Sequence, residues 1–263
     1  MSKKPLSGRH LRQLTQESGI SREVIEQRGY RTVRSLDELR ELGFRPRASW
    51  RRSDKGLLIP LHLPASAPAS DVPPVIYRPD VPITYSSRSG KREVMKYAHP
   101  DGARNYIDVH PSMREALQDS SVDVLITEGH KKADAATSRG LVCLGLSGVW
   151  NFVYRSRDEN GRRADSELCD EWDAIPTDGR AFTIVYDSDL VSKPGVQDAR
   201  WRLTRFLRER GARVFWVDLP AGQNGAKQGL DDYFVAGHTP NDLRALVQAA
   251  PTRGPRQQGR LAS

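Results

Sequence analysis

Cysteine is scarce in this sequence, and long apolar runs and a secretory leader are missing. Only Cys143 and Cys169 occur among 263 residues, which is too few for a zinc ribbon. No apolar run approaches the roughly 20 residues that a membrane-spanning helix needs. The N-terminal residues MSKKP lack the apolar core of a signal peptide. These absences predict a cytoplasmic protein in a reducing compartment, with no membrane partner.

A nucleotide P-loop is also missing, although positive charge is in surplus. The glycine-rich stretch 219–233 does not contain the G-x-x-x-x-G-K-[ST] spacing. The chain has 41 Lys and Arg against 33 Asp and Glu, a net charge of +8, which suits a partner rich in phosphate. Trp50 is followed by Arg51 and Arg52, and basic residues interleaved with an aromatic ring suit single-stranded nucleic acid. A solvated basic loop is the alternative interpretation of this segment.

One stretch in the middle of the chain has the pattern of strand, turn, helix and strand. Val124–Ile126 is short and apolar, and Gly129 lets the backbone turn sharply after it. Residues 130–139 are compatible with a helix, and residues 141–146 return as an apolar strand. We expect a right-handed βαβ unit. Since ligands of open α/β sheets bind at the carboxyl ends of the strands, Glu128 occupies a candidate site.

A second strand, Phe182–Tyr186, is followed directly by Asp187 and Asp189. Alternation along an extended chain would place these two carboxylates on the same side. Together with Glu128 they predict an acidic cluster at one edge of the sheet. Carboxylate oxygens suit Mg²⁺ or Mn²⁺, with waters and substrate phosphates as the remaining ligands. The alternative is that each acidic residue only caps the helix that follows it.

These residues lie in four phrases that resemble the Toprim (topoisomerase–primase) superfamily. The phrases are TEGHKKADA, GLSGVWN, VYDSD and KQGLDDY, and the resemblance covers about Tyr97 to Phe234. Their wording is similar to Toprim-like domains of unknown function in phage and plasmid replication proteins. The resemblance implies an α/β fold: a Toprim-like Rossmannoid core with a mostly parallel sheet. Before the core we expect a small β-rich subdomain and an N-terminal helical module.

The resemblance also implies roles for individual residues. Glu128, Asp187 and Asp189 are the predicted catalytic residues and, with Asp231, the predicted ligands of Mg²⁺ or Mn²⁺. Asp231 can alternatively be a helix N-cap. The predicted contacts to phosphate or nucleic acid are Lys131, Lys132, Lys227, Lys96, Arg51, Arg52 and Trp50. Lys131 and Lys132 lie near the start of a predicted helix, whose free amides favour anions, although an exposed helical face is the alternative.

The chain is predicted to have four parts. They are a helical accessory module at 1–55, a β-rich subdomain at 56–120, the Toprim-like core at 121–250 and a disordered basic tail at 251–263. In the first part, residues 14–30 suit either a helix-turn-helix or a plain helical hairpin. In the second, the proline in Gly56–Pro64 predicts an edge strand. Residues 152–180 are interpreted as a polar insertion that brings no motif.

The predicted function is metal-dependent nucleotidyl transfer of the primase type, in the DNA replication of a phage or plasmid. Single-stranded DNA and nucleotides are the expected partners, and a replicative helicase is a further possible one. Without a zinc ribbon, recognition of the template would need another module. Two alternatives use the same residues: a metal-dependent nuclease, and a non-catalytic DNA-binding protein that supports a helicase. The sequence leaves the oligomeric state open.

Overall fold

The computed structural model describes residues 6–65, 67, 72–87, 90–154 and 167–252. The predicted basic tail therefore lies outside the described residues, except for positions 251 and 252. No helix in the described part of the chain is long and apolar enough to cross a membrane.

The N-terminal part contains short helices and two small antiparallel sheets. In chain order its elements are α1 (Gly8–Arg12), α2 (Arg22–Arg28), β1 (Arg31–Val33), α3 (Leu36–Glu41), β2 (Gly56–Pro60), β3 (Val75–Pro79), β4 (Ile83–Ser86) and β5 (Arg92–Met95). The first sheet has the order β1-β2-β3, and the second is the hairpin of β4 and β5. Because β1 pairs with β2, the predicted helical and β-rich parts share one sheet. The prediction of an edge strand was wrong, since β2 is the middle strand and Pro60 is only its last residue.

The C-terminal part is built around one six-stranded sheet. Its elements are β6 (Ile107–Val109), α4 (Arg114–Gln118), β7 (Val124–Glu128), α5 (His130–Thr137), β8 (Cys143–Leu146), β9 (Ala181–Tyr186), α6 (Pro194–Glu209), β10 (Arg213–Asp218), α7 (Leu230–Val235), α8 (Pro240–Ala245) and β11 (Gln248–Ala249). The strand order is β11-β10-β9-β7-β8-β6. The four inner strands are parallel and the two edge strands antiparallel. This arrangement confirms the predicted mostly parallel α/β sheet. It also places β6, which we predicted in the β-rich part, within the core.

Both faces of this sheet are buried, which explains the continuous apolar sequences of β7 and β9. Ile126 and Ile184 belong to the cluster on the α6 face, and Val185 belongs to the cluster on the face of α5 and α7. Trp172 is fully buried on the α6 face and meets Phe206 edge to face, with ring centroids 5.2 Å apart. Residues 152–180 were interpreted as a polar insertion. That interpretation is wrong for the part around Trp172, which completes the core on the α6 face.

A buried ionic network fixes α2 to the core sheet. Val24 and Ile25 are buried, as a packed helical hairpin requires. The side chain of Arg28 is fully buried, and its guanidinium binds Asp108 of β6 at 2.5 Å and both carboxylate oxygens of Asp134 on α5. Asp134 is itself fully buried and therefore has a structural role. Breaking a buried ion pair from one side typically costs about 3–5 kcal/mol, so the N-terminal helices are an integral part of the fold.

Candidate functional site at the carboxyl edge of the sheet

Three adjacent parallel strands end at the same edge in polar side chains. β9 ends before Asp187, β7 ends in Glu128, and β8 ends before Ser147. The registers pair Glu128 with Leu146 and Thr127 with Val185. Neighbouring strands lie about 4.8 Å apart, so the sheet itself brings the three strand ends together. The edge is the one at which α/β sheets bind their ligands.

Lysines from three different segments neutralise the aspartates. Lys132, in the first turn of α5, donates to Oδ1 of Asp187. Lys227, in the loop before α7, places Nζ 2.7 Å from Oδ2 of Asp187 and 3.4 Å from Oδ2 of Asp189. Lys193 donates to Oδ2 of Asp189 at 2.6 Å. Asp187 is nearly buried, with 5% of its surface exposed, so it depends on these lysines for compensation of its charge.

A glycine allows the side chains of Asp187, Asp231 and Lys132 to converge. Gly229 precedes α7, and a Cβ atom there would lie 2.6 Å from Cε of Lys132, 2.9 Å from Oδ1 of Asp231 and 3.1 Å from Oδ1 of Asp187. Any larger residue would have to displace this cluster. Gly229 is itself the N-cap, and the carboxylate of Asp232 accepts its amide hydrogen at 2.9 Å. The interpretation of Asp231 as the N-cap is therefore wrong, and its carboxylate instead approaches Gly229 from within the site.

The acidic residues of this edge differ in their electrostatic environment. Burial raises the pKa of Glu128, the charge of Asp187 adds to this effect, and Lys132 and Lys227 partly oppose it. Burial likewise raises the pKa of Asp231. The hydrogen bond from Lys193 lowers the pKa of the more exposed Asp189. The raised pKa of Glu128 is the direction that favours a role in proton transfer.

The predicted metal ligands suit a single ion bound by oxygen atoms better than a site made of several closely spaced carboxylates. Within the described ranges, no three His, Cys, Asp or Glu side chains are grouped so that they could hold an ion. The ammonium group of Lys227, however, lies between Asp187 and Asp189 and marks a position where both carboxylates meet one cation. Mg²⁺ often takes only one or two carboxylates, with waters and phosphates as its other ligands. The pair Asp187 and Asp189 is suited to that role.

The other predicted binding residues are spread over the surface. Lys131 donates to the Ser18 hydroxyl at 2.9 Å, and burial lowers the pKa of its ammonium group. Lys131 therefore links the N-terminal helices to α5, whereas Lys132 binds Asp187. Lys96 is exposed just after β5. Arg51 and Arg52 are also exposed, as a contact to phosphate requires.

Trp50 is not available to a nucleic-acid base in this structure. Its ring is buried and stacks on Tyr77, with centroids 6.3 Å apart and an interplanar angle of 16°. It belongs to the small core that also contains Leu58 and Phe44. The predicted stacking role of Trp50 is therefore corrected to a packing role, and only the arginines of this segment remain candidates for binding.

A pocket of about 600 Å³ lies away from this chemistry. It is lined by Ala181, Arg213 and Leu243 among others, and so it opens at the amino ends of the parallel strands. The residues that line it do not include the acidic residues or the lysines of the candidate site.

Two members of the site were missed by sequence reasoning. Lys193 could have been found, because it follows Asp189 by four residues and such pairs meet across one helical turn. Gly229 carries no chemical group, and nothing in the sequence around it shows that three side chains converge on its Cα. Its role follows only from the packing of α7 against α5.

The part of the chain that carries this edge matches a known family. Residues 114–240 match a family described as "Domain of unknown function (DUF3854)". An uncharacterized protein of Picosynechococcus sp. (strain ATCC 27264 / PCC 7002 / PR-6) is 29% identical over 123 residues. That similarity covers 45% of this chain and 12% of the cyanobacterial protein.

Solved structures with a similar fold include catalytic domains of primases. The Aquifex aeolicus primase (zinc binding and RNA polymerase domains) has a TM-score of 0.56 and 14% identity, over 91% of this chain and 55% of that one. A DnaG catalytic core gives 0.55 and 13%, over 92% and 72%. A DnaG primase catalytic domain bound to single-stranded DNA gives 0.50 and 14%, over 86% and 67%. The predicted Toprim-like fold is thus confirmed, and the chain spans about half of the Aquifex structure.

Proposed function

We propose that this chain carries out metal-dependent nucleotidyl transfer of the primase type on single-stranded DNA. The observation that carries the proposal is the convergence of Asp187, Asp189 and Glu128 with Lys132 and Lys227 at one strand edge. Acidic and basic groups in alternation suit a reaction in which phosphates and a cation are bound together. The shared fold of primase catalytic cores supports the same reaction class.

Each group has a defined task in this reaction. Asp187 and Asp189 would hold Mg²⁺ or Mn²⁺, which supplies stabilisation of charge on the reacting phosphoryl group. Lys132 and Lys227 turn from the aspartates to the phosphates of the incoming nucleotide, where they compensate negative charge. Glu128, whose pKa is raised by burial, accepts the proton of the attacking hydroxyl. Asp231 interacts electrostatically with Lys132 and supports its charge.

The template strand would lie along exposed positive charge. Arg51 and Arg52 are exposed in the segment that precedes β2, and Lys96 is exposed after β5. Contacts of this kind bind the phosphate backbone without reading sequence. Replication of a phage or plasmid, with a helicase as partner, is the setting that the resemblance implies, and it remains part of the proposal.

The test is incorporation of labelled nucleotides on single-stranded DNA with Mg²⁺ or Mn²⁺. We expect short products from the unaltered chain and a loss of at least about 100-fold in Glu128→Gln and Asp187→Asn, as for other groups that stabilise a transition state. Asp198→Asn is the matched control, since Asp198 is half-exposed on α6 and pairs with Arg202. Degradation of the template in place of synthesis would favour the nuclease alternative. DNA binding that needs neither metal nor Asp187 would favour the accessory role.

A further inference from the structure

The strand next to Glu128, β8, is followed directly by a serine that has its own set of partners. Ser147 Oγ lies 3.0 Å from Nε2 of His130, and Nδ1 of the same ring lies 3.0 Å from Oδ2 of Asp108. A hydroxyl, an imidazole and a carboxylate are therefore connected in the order of a Ser-His-Asp triad. His130 and Asp108 are buried, whereas Ser147 is partly exposed. The nucleophile is the member of the group that solvent can reach.

The environment of Asp108 determines which nitrogen of His130 carries the proton. Burial alone would disfavour the carboxylate, but Arg28 and the hydrogen bond with His130 outweigh it and hold the pKa of Asp108 well below its usual range. Oδ1 also accepts the backbone amide of His62 at 2.7 Å. Because an ionised carboxylate can only accept, Nδ1 of His130 is the donor. In the neutral imidazole, Nε2 is then the acceptor that faces the hydroxyl of Ser147.

Close packing against β8 fixes this pair in place. A Cβ atom on Gly145 would lie 3.0 Å from Nδ1 of His130 and 3.3 Å from Oδ2 of Asp108. Both distances are tighter than ordinary van der Waals contact, so a side chain at this position would press on the ring and the carboxylate. The backbone thus holds the imidazole by its buried side and leaves Nε2 directed at the serine, which is the positioning that general-base catalysis needs.

The neighbours of Ser147 select the class of electrophile. It follows Leu146, whose partner across the sheet is Glu128. His130 and Lys132 share the first turn of α5, and Lys132 reaches Asp187. A group bound at Lys132 therefore lies on the same edge of the sheet as the serine. That group is a phosphate if the proposed function is correct.

We propose that Ser147 is a nucleophile, activated by His130 and Asp108, that attacks a phosphodiester of a nucleic-acid strand bound at this edge. An Oγ–P bond forms, and the hydroxyl proton passes to Nε2 of His130. The bond from phosphorus to one ester oxygen breaks, and the imidazolium returns the proton to that oxygen. The products are a strand end joined to Ser147 and a strand end with a free hydroxyl. The reverse sequence rejoins the strand, so no other reactant is consumed. Only the choice of a phosphodiester rests on the proposed function.

Replacing the serine by cysteine tests the activation directly. Cys143 and Cys169 are buried, and burial raises the pKa of both thiols, so neither competes for a thiol reagent. We expect iodoacetamide to alkylate Ser147→Cys at pH 7 about tenfold faster than Ser120→Cys, an exposed control, because a thiol paired with imidazole ionises below its usual pKa of about 8.5. Adding His130→Gln should abolish the difference. An ordinary ionisation of the thiol, or a low one that persists without His130, would overturn the proposal.

The chemistry on DNA is tested separately. Incubation with end-labelled single-stranded DNA should give an adduct that survives denaturation and is absent from Ser147→Ala. The Asp198→Asn variant should form the same adduct. An activated thiol without any adduct overturns the phosphodiester as electrophile. Failure of nucleotide incorporation, by contrast, refutes the proposed function without changing the result at the thiol.

Discussion

The ammonium group of Lys227 lies 2.7 Å from Oδ2 of Asp187. The lysine comes from the loop before α7 and remains about half exposed, whereas the aspartate is nearly buried. Asp187 and the hydrogen bond between them raise the pKa of Lys227 against the opposing effect of burial. The loop before α7 thus places a positive charge at the strand edge. A substrate phosphate can compete with Asp187 for this charge.

Loss of Lys227 should weaken nucleotide binding. In Lys227→Ala we expect KM for the nucleotide to rise by about 10- to 100-fold, since a hydrogen bond to a charged group contributes about 1.5–3 kcal/mol. Steady-state incorporation at varied nucleotide concentration measures this effect. Lys55→Ala removes an exposed lysine outside the cluster and should leave KM unchanged. An equal change in the two variants would contradict a specific role for Lys227.

Adding a single methyl group at Gly229 should disrupt the site without unfolding the chain. The backbone there has φ −94° and ψ 175°, which alanine adopts readily. Its Cβ atom would lie 2.6 Å from Cε of Lys132, so the flexible lysine must move away from Asp187. We expect a loss of incorporation of at least about tenfold, smaller than that from deleting a charged group outright. Gly195→Ala meets nothing within 4 Å and is the control that should keep full activity.

The buried carboxyl group of Glu128 should make stability depend on pH in a defined direction. Because its pKa is raised in the folded state, the ionised form costs stability at neutral pH. Below the unfolded pKa of about 4.3 the group is protonated in both states and the cost disappears. Glu128→Gln should therefore unfold at a higher temperature than the unaltered chain at pH 7, and at the same temperature near pH 3.5. Glu26→Gln, at an exposed position of α2, is the control and should show no such gain. A lower unfolding temperature of Glu128→Gln at pH 7, or a higher one at pH 3.5, would contradict this prediction.

The basic segment after Trp50 should bind DNA through charge alone. Replacing Arg51 and Arg52 by alanine should reduce the salt dependence of single-stranded DNA binding, by about 0.7 in the log–log slope for each phosphate that is no longer neutralised. Trp50→Ala should instead destabilise the fold by about 3–5 kcal/mol, as for other buried aromatic residues, and leave the slope of the folded protein unchanged. Fluorescence titrations at several salt concentrations distinguish the two effects. An affinity of folded Trp50→Ala that falls at every salt concentration, at an unchanged slope, would restore its predicted stacking contact with DNA.

Local sequence patterns were sufficient for the central βαβ unit. Val124–Ile126 and residues 130–139 were predicted within a few residues of β7 and α5, because an apolar run, a glycine and a helical segment are each short-range signals. The acidic residues after β7 and β9 were found for the same reason. Parallel pairing then placed both strand ends at one edge, as the strand-end rule predicts.

Relationships between distant segments could not be predicted. Arg28 binds Asp108 and Asp134, which follow it by 80 and 106 positions, and nothing near Arg28 in the sequence marks it as buried. His130 was regarded only as the start of a helix, because its partners are distant in the sequence: Asp108 lies in β6 and Ser147 directly follows β8. Trp50 was misjudged for a related reason: basic neighbours describe the surface around a ring and say nothing about the side on which it packs.

The proposed chemistry requires a divalent ion to replace a lysine ammonium group as the partner of the Asp187 carboxylate. Electron paramagnetic resonance of Mn²⁺, titrated into the protein without nucleotide, measures bound and free ion directly. We predict one bound ion per chain in the unaltered protein and in Asp198→Asn, and its loss in Asp187→Asn. If Mn²⁺ stays free in all three proteins, or binds equally well without the Asp187 carboxylate, the acidic edge is not the metal site and the proposed chemistry is wrong.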